Sequence, residues 1–125
     1  MAIDRVFANL CTQDLDGSRA FFTDVLGFSL RFDSDWYIQA TPSEGSPLEV
    51  GIILAGHGVV PDGVGARPAG VYLTVVVDDL DAVYERAKAG GVAIVDPPTV
   101  MPYGQRRLLL EGPSGAVVDV SCPVS

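Results

Sequence analysis

Two copies of one short motif, Asp14-Leu15-Asp16 and Asp79-Leu80-Asp81, stand 65 residues apart in a chain of 125. Each follows an apolar run and opens a stretch of helical spacing that ends in glycine. Aspartate suits such a place, because its carboxylate accepts from the orphan amides of a helix's first turn. Ahead of the first motif, residues 6–11 read as a strand. Behind it, Leu15, Phe21, Phe22, Val25 and Leu26 keep helical spacing until Gly27 closes the helix. Residues 28–32 and 36–41 then read as a hairpin around Asp33-Ser34-Asp35, residues 42–47 as a loop, and residues 48–54 as a strand.

The second half follows the same order. Residues 71–77 are an emphatic β run, and Leu80, Val83, Tyr84 and Ala87 share one face of a helix ended by Gly90-Gly91. Strands are expected at 92–95, 106–110 and 117–121, with residues 96–104 as a proline-containing loop and Gly112-Pro113-Ser114-Gly115 as a turn. A period this long is a duplicated domain and not a solenoid. The predicted fold is therefore α+β, a single domain over 1–125. Its parts are a βαβββ module (1–54), a Gly/Pro/Ala-rich linker (55–70) and a second βαβββ module (71–125).

Duplication has a geometric consequence. A four-stranded sheet covered by one helix has a second face that needs a partner. Two modules related by a pseudo-two-fold would set equivalent residues across a shared cleft. The 65-residue offset pairs Phe7 with Tyr72, and element order pairs Glu49 with Asp119. Aromatic side chains gather on the strands and loops that border this cleft: Phe7, Phe32, Trp36, Tyr37, Tyr72 and Tyr103. An apolar, aromatic lining with a few polar groups is the usual make-up of a small-molecule site. The run Met101-Pro102-Tyr103-Gly104-Gln105-Arg106-Arg107 adds donors, and alternation sends Arg106 and Arg107 to opposite faces.

Charge removes whole classes of partner. Sixteen acidic residues against eight basic give a net charge of −8, which repels phosphate backbones and anionic lipid, so neither nucleic acid nor membrane is expected. The same field mildly favours a cationic ligand. No run approaches the roughly 20 apolar residues of a membrane span, and residues 1–5 lack the order of a signal peptide, so a cytoplasmic protein is expected. Cys11 and Cys122 fit that compartment as reduced thiols. His57, the one histidine, is read chiefly as a loop residue, with a ligand or proton-shuttle role as the alternative. No Gly-x-Ser-x-Gly elbow and no phosphate-cradling Gly-x-x-x-x-Gly-Lys run is present.

The stretch from Asn9-Leu10 through Asp14-Leu15-Asp16-Gly17-Ser18 to Phe21-Phe22-Thr23-Asp24-Val25-Leu26-Gly27-Phe28 resembles the vicinal oxygen chelate superfamily. That superfamily includes glyoxalase I, bleomycin- and fosfomycin-resistance proteins and extradiol dioxygenases. Val75-Val76-Val77-Asp78-Asp79-Leu80-Asp81-Ala82 and Pro113-Ser114-Gly115 carry the likeness into the second half. The resemblance implies a paired βαβββ fold, a homodimer, and clefts that hold a divalent ion in the metal-dependent members. The four ligand places of those members correspond to Phe7, Glu49, Tyr72 and Asp119. Phe7 has no lone pair to offer, and Tyr72 would ligate only as a phenolate, against an ordinary pKa of about 10. Two carboxylates alone leave an ion mostly hydrated, whereas a tight site takes three or four protein ligands.

Binding is therefore favoured over catalysis: metal-independent sequestration of a small aromatic or hydrophobic molecule, of the antibiotic-resistance type, with no cofactor. Phe7, Asn9, Phe32, Trp36, Tyr37, Glu49, His57, Tyr72, Met101, Tyr103, Arg106 and Asp119 are the candidate binding residues. The alternative is a metal-dependent lyase, isomerase or dioxygenase of the same superfamily.

Overall fold

The computed structural model describes residues 2–124. The first module runs β1 (Asn9–Thr12), α1 (Leu15–Ala20), β2 (Ser29–Asp33), β3 (Tyr37–Thr41) and β4 (Val50–Leu54). The second runs β5 (Leu73–Val76), α2 (Leu80–Ala89), β6 (Ile94–Val100), β7 (Gln105–Glu111) and β8 (Val117–Pro123). Each forms a four-stranded sheet, ordered β1-β4-β3-β2 and β5-β8-β7-β6. In each, the helix-bearing crossover leaves the first and last strands parallel, and the remaining pairs are antiparallel.

The repeated aspartates do the same work in both halves. Asp14 Oδ1 accepts from the Gly17 amide at 2.9 Å, and Asp79 Oδ1 from the Ala82 amide at 3.0 Å. Their backbone angles nearly coincide, φ −137° and ψ 89° against φ −135° and ψ 82°. The first helix is not one regular α-helix, as its spacing predicts. After Ala20 it widens into a π-helical turn over Phe21–Val25. There Thr23 Oγ1 donates to the Arg19 carbonyl at 3.0 Å, an insertion into the ladder of the kind that distorts helices.

Alternation along the strands sends one face of each sheet to the helices. Leu10, Ile38, Ala40, Val50 and Ile52 are buried on the first sheet, and Leu108, Leu110, Val118 and Val120 on the second. With Phe22, Leu80, Val83 and Ala87 from the helical segments, they make one core continuous across both modules. The junction is pinned by Ser114, in the turn between β7 and β8. Its Oγ accepts from the Gln13 amide at 2.7 Å and meets Thr12 Oγ1 at 3.2 Å, while its backbone is held left-handed at φ 49°.

Three expectations need correcting. Residues 96–100 are not loop, because β6 continues through Pro97 and Pro98. It is an edge strand, and its pairing slips between Asp96 and Thr99, so the missing amides cost no ladder bond. Arg106 does not face the open side of its sheet. It shares the parity of the buried Leu108 and Leu110 and pairs with Asp81 of α2 at 3.0 Å. Arg107 takes the open side, 3.9 Å from Asp96. Finally, Glu49 and Asp119 are not equivalent. Asn9 lies opposite Gly51 and Thr74 opposite Asp119, so Gly51 is the counterpart of Asp119, and Val117 that of Glu49. Both cysteines are free, Cys11 buried and Cys122 half-buried. No helix among the described residues is long and apolar enough to cross a membrane.

Candidate ligand pocket

The face of the first sheet turned away from the helices carries Asn9 and Cys11 of β1, Tyr37 and Gln39 of β3, and Gly51 and Ile53 of β4. Over its aromatic half lies a cavity of about 530 Å³. Phe7, Asn9, Cys11, Tyr37 and Ile53 form its floor, and Trp36 one wall. The roof is the segment read as the linker between the modules, which contributes Val59, Val60, Pro61 and Val64. Backbone bonds fold that segment back: the Ala55 amide donates to Thr12 O at 2.8 Å, the His57 amide to Leu54 O at 3.2 Å and the Val60 amide to His57 O at 3.0 Å. His57 then stacks on Trp36, with centroids 4.0 Å apart and planes 12° from parallel. Trp36 also tilts against Tyr37 at 5.8 Å, and the half-exposed Phe32 extends the aromatic row, 6.1 Å from Tyr37. No lining residue is an Asp, Glu, Lys or Arg.

The other half of the same face is ionic. Glu49 accepts from Arg5 Nε at 2.8 Å and Arg5 Nη2 at 2.6 Å, from Gln39 Nε2 at 2.8 Å and from Arg31 Nη1 at 3.2 Å. Its side chain is only 2 % exposed, screened by these partners. The Arg5 hydrogen bonds, the largest influence, hold the carboxyl below its ordinary pKa, and the charges of Arg5 and Arg31 act in the same sense. Arg5 also lies over the Phe7 ring, 4.9 Å from its centroid. Between the two halves, Tyr37 Oη donates to Asn9 Oδ1 at 3.2 Å. Burial, and secondarily the charge of Glu49, pushes the Tyr37 phenol above its ordinary pKa, so it keeps its proton.

The remaining candidates lie elsewhere. Tyr72 is 68 % exposed beside a crevice where Ala8 and Leu10 approach Leu73 and Val118. Met101 and Tyr103 sit in the turn between β6 and β7. Asp119 is buried on the second sheet, accepting from Ser121 Oγ at 2.6 Å and Thr74 Oγ1 at 3.2 Å. The structure thus brings Phe7, Asn9, Trp36 and Tyr37 together, with His57 stacked on Trp36 and Phe32 and Glu49 alongside. It does not bring Tyr72, Met101, Tyr103, Arg106 or Asp119 to them. Alternation from Asn9 reaches Cys11, and from Tyr37 reaches Gln39, so both were within reach of the sequence. The roof valines carry no periodic signal.

The residues do not suit a metal ion at the four places the resemblance implies. Phe7 cannot donate, Tyr72 stands exposed apart, and Glu49 is saturated by two guanidinium groups. Among the described residues, no three His, Cys, Asp or Glu side chains gather closely enough to hold an ion.

A paired βαβββ protein with an aromatic cavity on one sheet face is a small-molecule-binding architecture. The model of the Glyoxalase/Bleomycin resistance protein/Dioxygenase superfamily matches residues 2–120, and the chain belongs to that superfamily. No curated protein matches it. Solved structures share the fold. A glyoxalase/bleomycin resistance protein/dioxygenase from Nocardioides is 24 % identical, with TM-score 0.68, over 100 % of this chain and 87 % of its own. A hypothetical protein from S. aureus is 22 % identical with TM-score 0.79, over 98 % and 95 %. A virulence protein from Salmonella typhimurium is 19 % identical with TM-score 0.73, over 99 % and 100 %.

Proposed function

We propose that this protein binds and sequesters a small, flat, largely apolar molecule in the first module's pocket without a metal ion, in the manner of an antibiotic-binding resistance protein. The observation that carries it is the pocket itself: about 530 Å³, with a tryptophan, a tyrosine and a phenylalanine around it and no charged residue in its lining. That volume lies within the usual span of ligand cavities, about 300–1,000 Å³. Aromatic faces supply stacking area at low entropic cost. Glu49, the carboxylate expected as a ligand on the fourth strand, instead anchors Arg5 and Arg31. Sequestration by mass action then needs no turnover.

The proposal extends to a homodimer in the cytoplasm. Val71 and Tyr72, just ahead of β5, and Val76 at its end stand more than half exposed, apolar surface of the kind a second copy covers, and free thiols fit a reducing compartment. Light scattering at micromolar concentration tests the dimer. Trp36, the only tryptophan, walls the pocket and reports on binding. Titration with planar aromatic compounds should shift its emission, with the same dissociation constant before and after exhaustive chelation. An affinity that collapses on chelation and returns with a divalent ion would replace sequestration with the metal-dependent lyase, isomerase or dioxygenase reading.

A further inference from the structure

The pocket's hydrogen-bonded pair of polar side chains is built across three strands. Asn9 on β1 and Tyr37 on β3 are separated by β4, yet their side chains meet. They do so because the residue between them is Gly51. A Cβ there would stand 2.6 Å from Tyr37 Oη and closer still to Asn9 Oδ1, too near for either to remain. The glycine is thus what lets these side-chain ends meet, and a Cβ there would push them apart; its own backbone is ordinary strand.

The pairing has a direction. Tyr37 keeps its proton and spends it on Asn9 Oδ1, which holds the amide with Nδ2 on the other side. Among the described residues, no acceptor meets that amino group. Cys11 and Ile53 flank the pair, and neither offers a strong acceptor. An apolar ligand would strip water from these donors and return nothing, whereas one with an acceptor at that edge would replace the lost bond. A charge finds no counter-ion in the lining itself: Arg5 and Arg31, on the same sheet face, are engaged by Glu49, and Arg67 lies in the adjoining crevice of Asn9, Cys11 and Val64 and outside the lining. Despite its net charge of −8, the protein should not favour a cation here.

We infer that the pocket selects uncharged planar molecules carrying a hydrogen-bond acceptor, such as an aromatic ketone or quinone, and that the Asn9–Tyr37 pair over Gly51 reads that acceptor. Asn9 is the contact residue, and Tyr37 and Gly51 position it. This inference rests on the pocket being a binding site, and its test separates the two. Three probes of one shape are titrated against Trp36 emission: 9-fluorenone, which has the carbonyl; fluorene, which lacks it; and fluorene-9-carboxylate, which is charged.

Wild-type protein should bind fluorenone roughly three- to tenfold more tightly than fluorene, the worth of one neutral hydrogen bond, and the carboxylate most weakly. Asn9→Leu, a change at an exposed position, should bring fluorenone and fluorene to the same affinity. Asn9→Asp, which turns the donor into an acceptor, should weaken fluorenone below fluorene. Gly51→Ala should lose the preference in the same way, and Asn9→Leu still decides the matter if that variant folds poorly. Equal affinities in the wild type, or a preference that survives Asn9→Leu, overturns the acceptor reading and leaves binding standing. No shift with any probe overturns both.

Discussion

Ser114 is the described residue, glycine aside, that holds a positive φ, and two substitutions there separate what it costs from what it contributes. Its Oγ accepts from the Gln13 amide at 2.7 Å and meets Thr12 Oγ1 at 3.2 Å, tying the β7–β8 turn of one module to the β1–α1 turn of the other. Each net hydrogen bond is worth about 0.5–1.5 kcal/mol. A left-handed conformation costs a residue with a Cβ about 1–2 kcal/mol. Ser114→Ala retains that strain and loses both contacts, so it should destabilise the protein by about 2 kcal/mol. Ser114→Gly loses the same contacts but relieves the strain. Part of the relief is returned because glycine loosens the unfolded chain by about 0.4–1 kcal/mol. The glycine variant should therefore fall between wild type and alanine, about 1 kcal/mol below wild type. Urea unfolding followed by far-ultraviolet circular dichroism measures all three. A glycine variant less stable than alanine would refute the strain, and an alanine variant at wild-type stability would refute the clamp.

Glu49 carries the pH dependence most directly tied to the site. Its folded pKa lies below its ordinary value, chiefly through the Arg5 hydrogen bonds. Its contribution is therefore complete above the unfolded carboxylate pKa and is lost as pH falls through the lower folded value. Glu49→Gln should be less stable than wild type at pH 7, with the gap in urea midpoint closing as the medium is acidified below the ordinary carboxylate range. A gap that stayed constant down to pH 3 would show that the carboxylate's charge is not what matters. Leu108 is fully buried on β7, and Leu108→Ala should cost about 2–5 kcal/mol in the same unfolding assay. A loss under 1 kcal/mol would mean that the site collapses around the missing methyl groups.

The architecture was legible because its signals are local and doubled. Asp14 and Asp79 cap their helices through the same acceptor oxygen and nearly the same backbone angles, so a three-residue repeat sufficed to locate two modules. Helical periodicity likewise identified Leu80, Val83 and Ala87 as core. The departures arise where a residue answers to a neighbour distant in sequence. Pro97 and Pro98 look like loop until β6 is known to be an edge strand. Arg106 and Arg107 differ by one position, and only the burial of Leu108 and Leu110 decides which faces the helix.

The site was legible by half, and the boundary falls at strand register. Phe7, Asn9, Trp36 and Tyr37 were within reach because they lie in one module, on or beside strands that alternation resolves. Pairing Glu49 with Asp119 required the fourth and eighth strands to share a register, and no motif fixes it. The structure pairs Asp119 with Gly51 instead, two residues on. That register decides which side chain each module sets at the matching point of its open face. With Glu49 and Asp119 in equivalent places, each module would set a carboxylate at the same point of its open face. With Gly51 there, the first module has no side chain at that point, Asn9 and Tyr37 close over the gap, and Glu49 lies beside Arg5 and Arg31. Glycine in an apolar strand gives no periodic signal, yet its missing Cβ lets the pocket floor carry a donor rather than a charge. A glycine and two arginines around the fourth strand leave a divalent ion no free carboxylate there, which is the ground for the proposal that the aromatic floor holds a neutral plane.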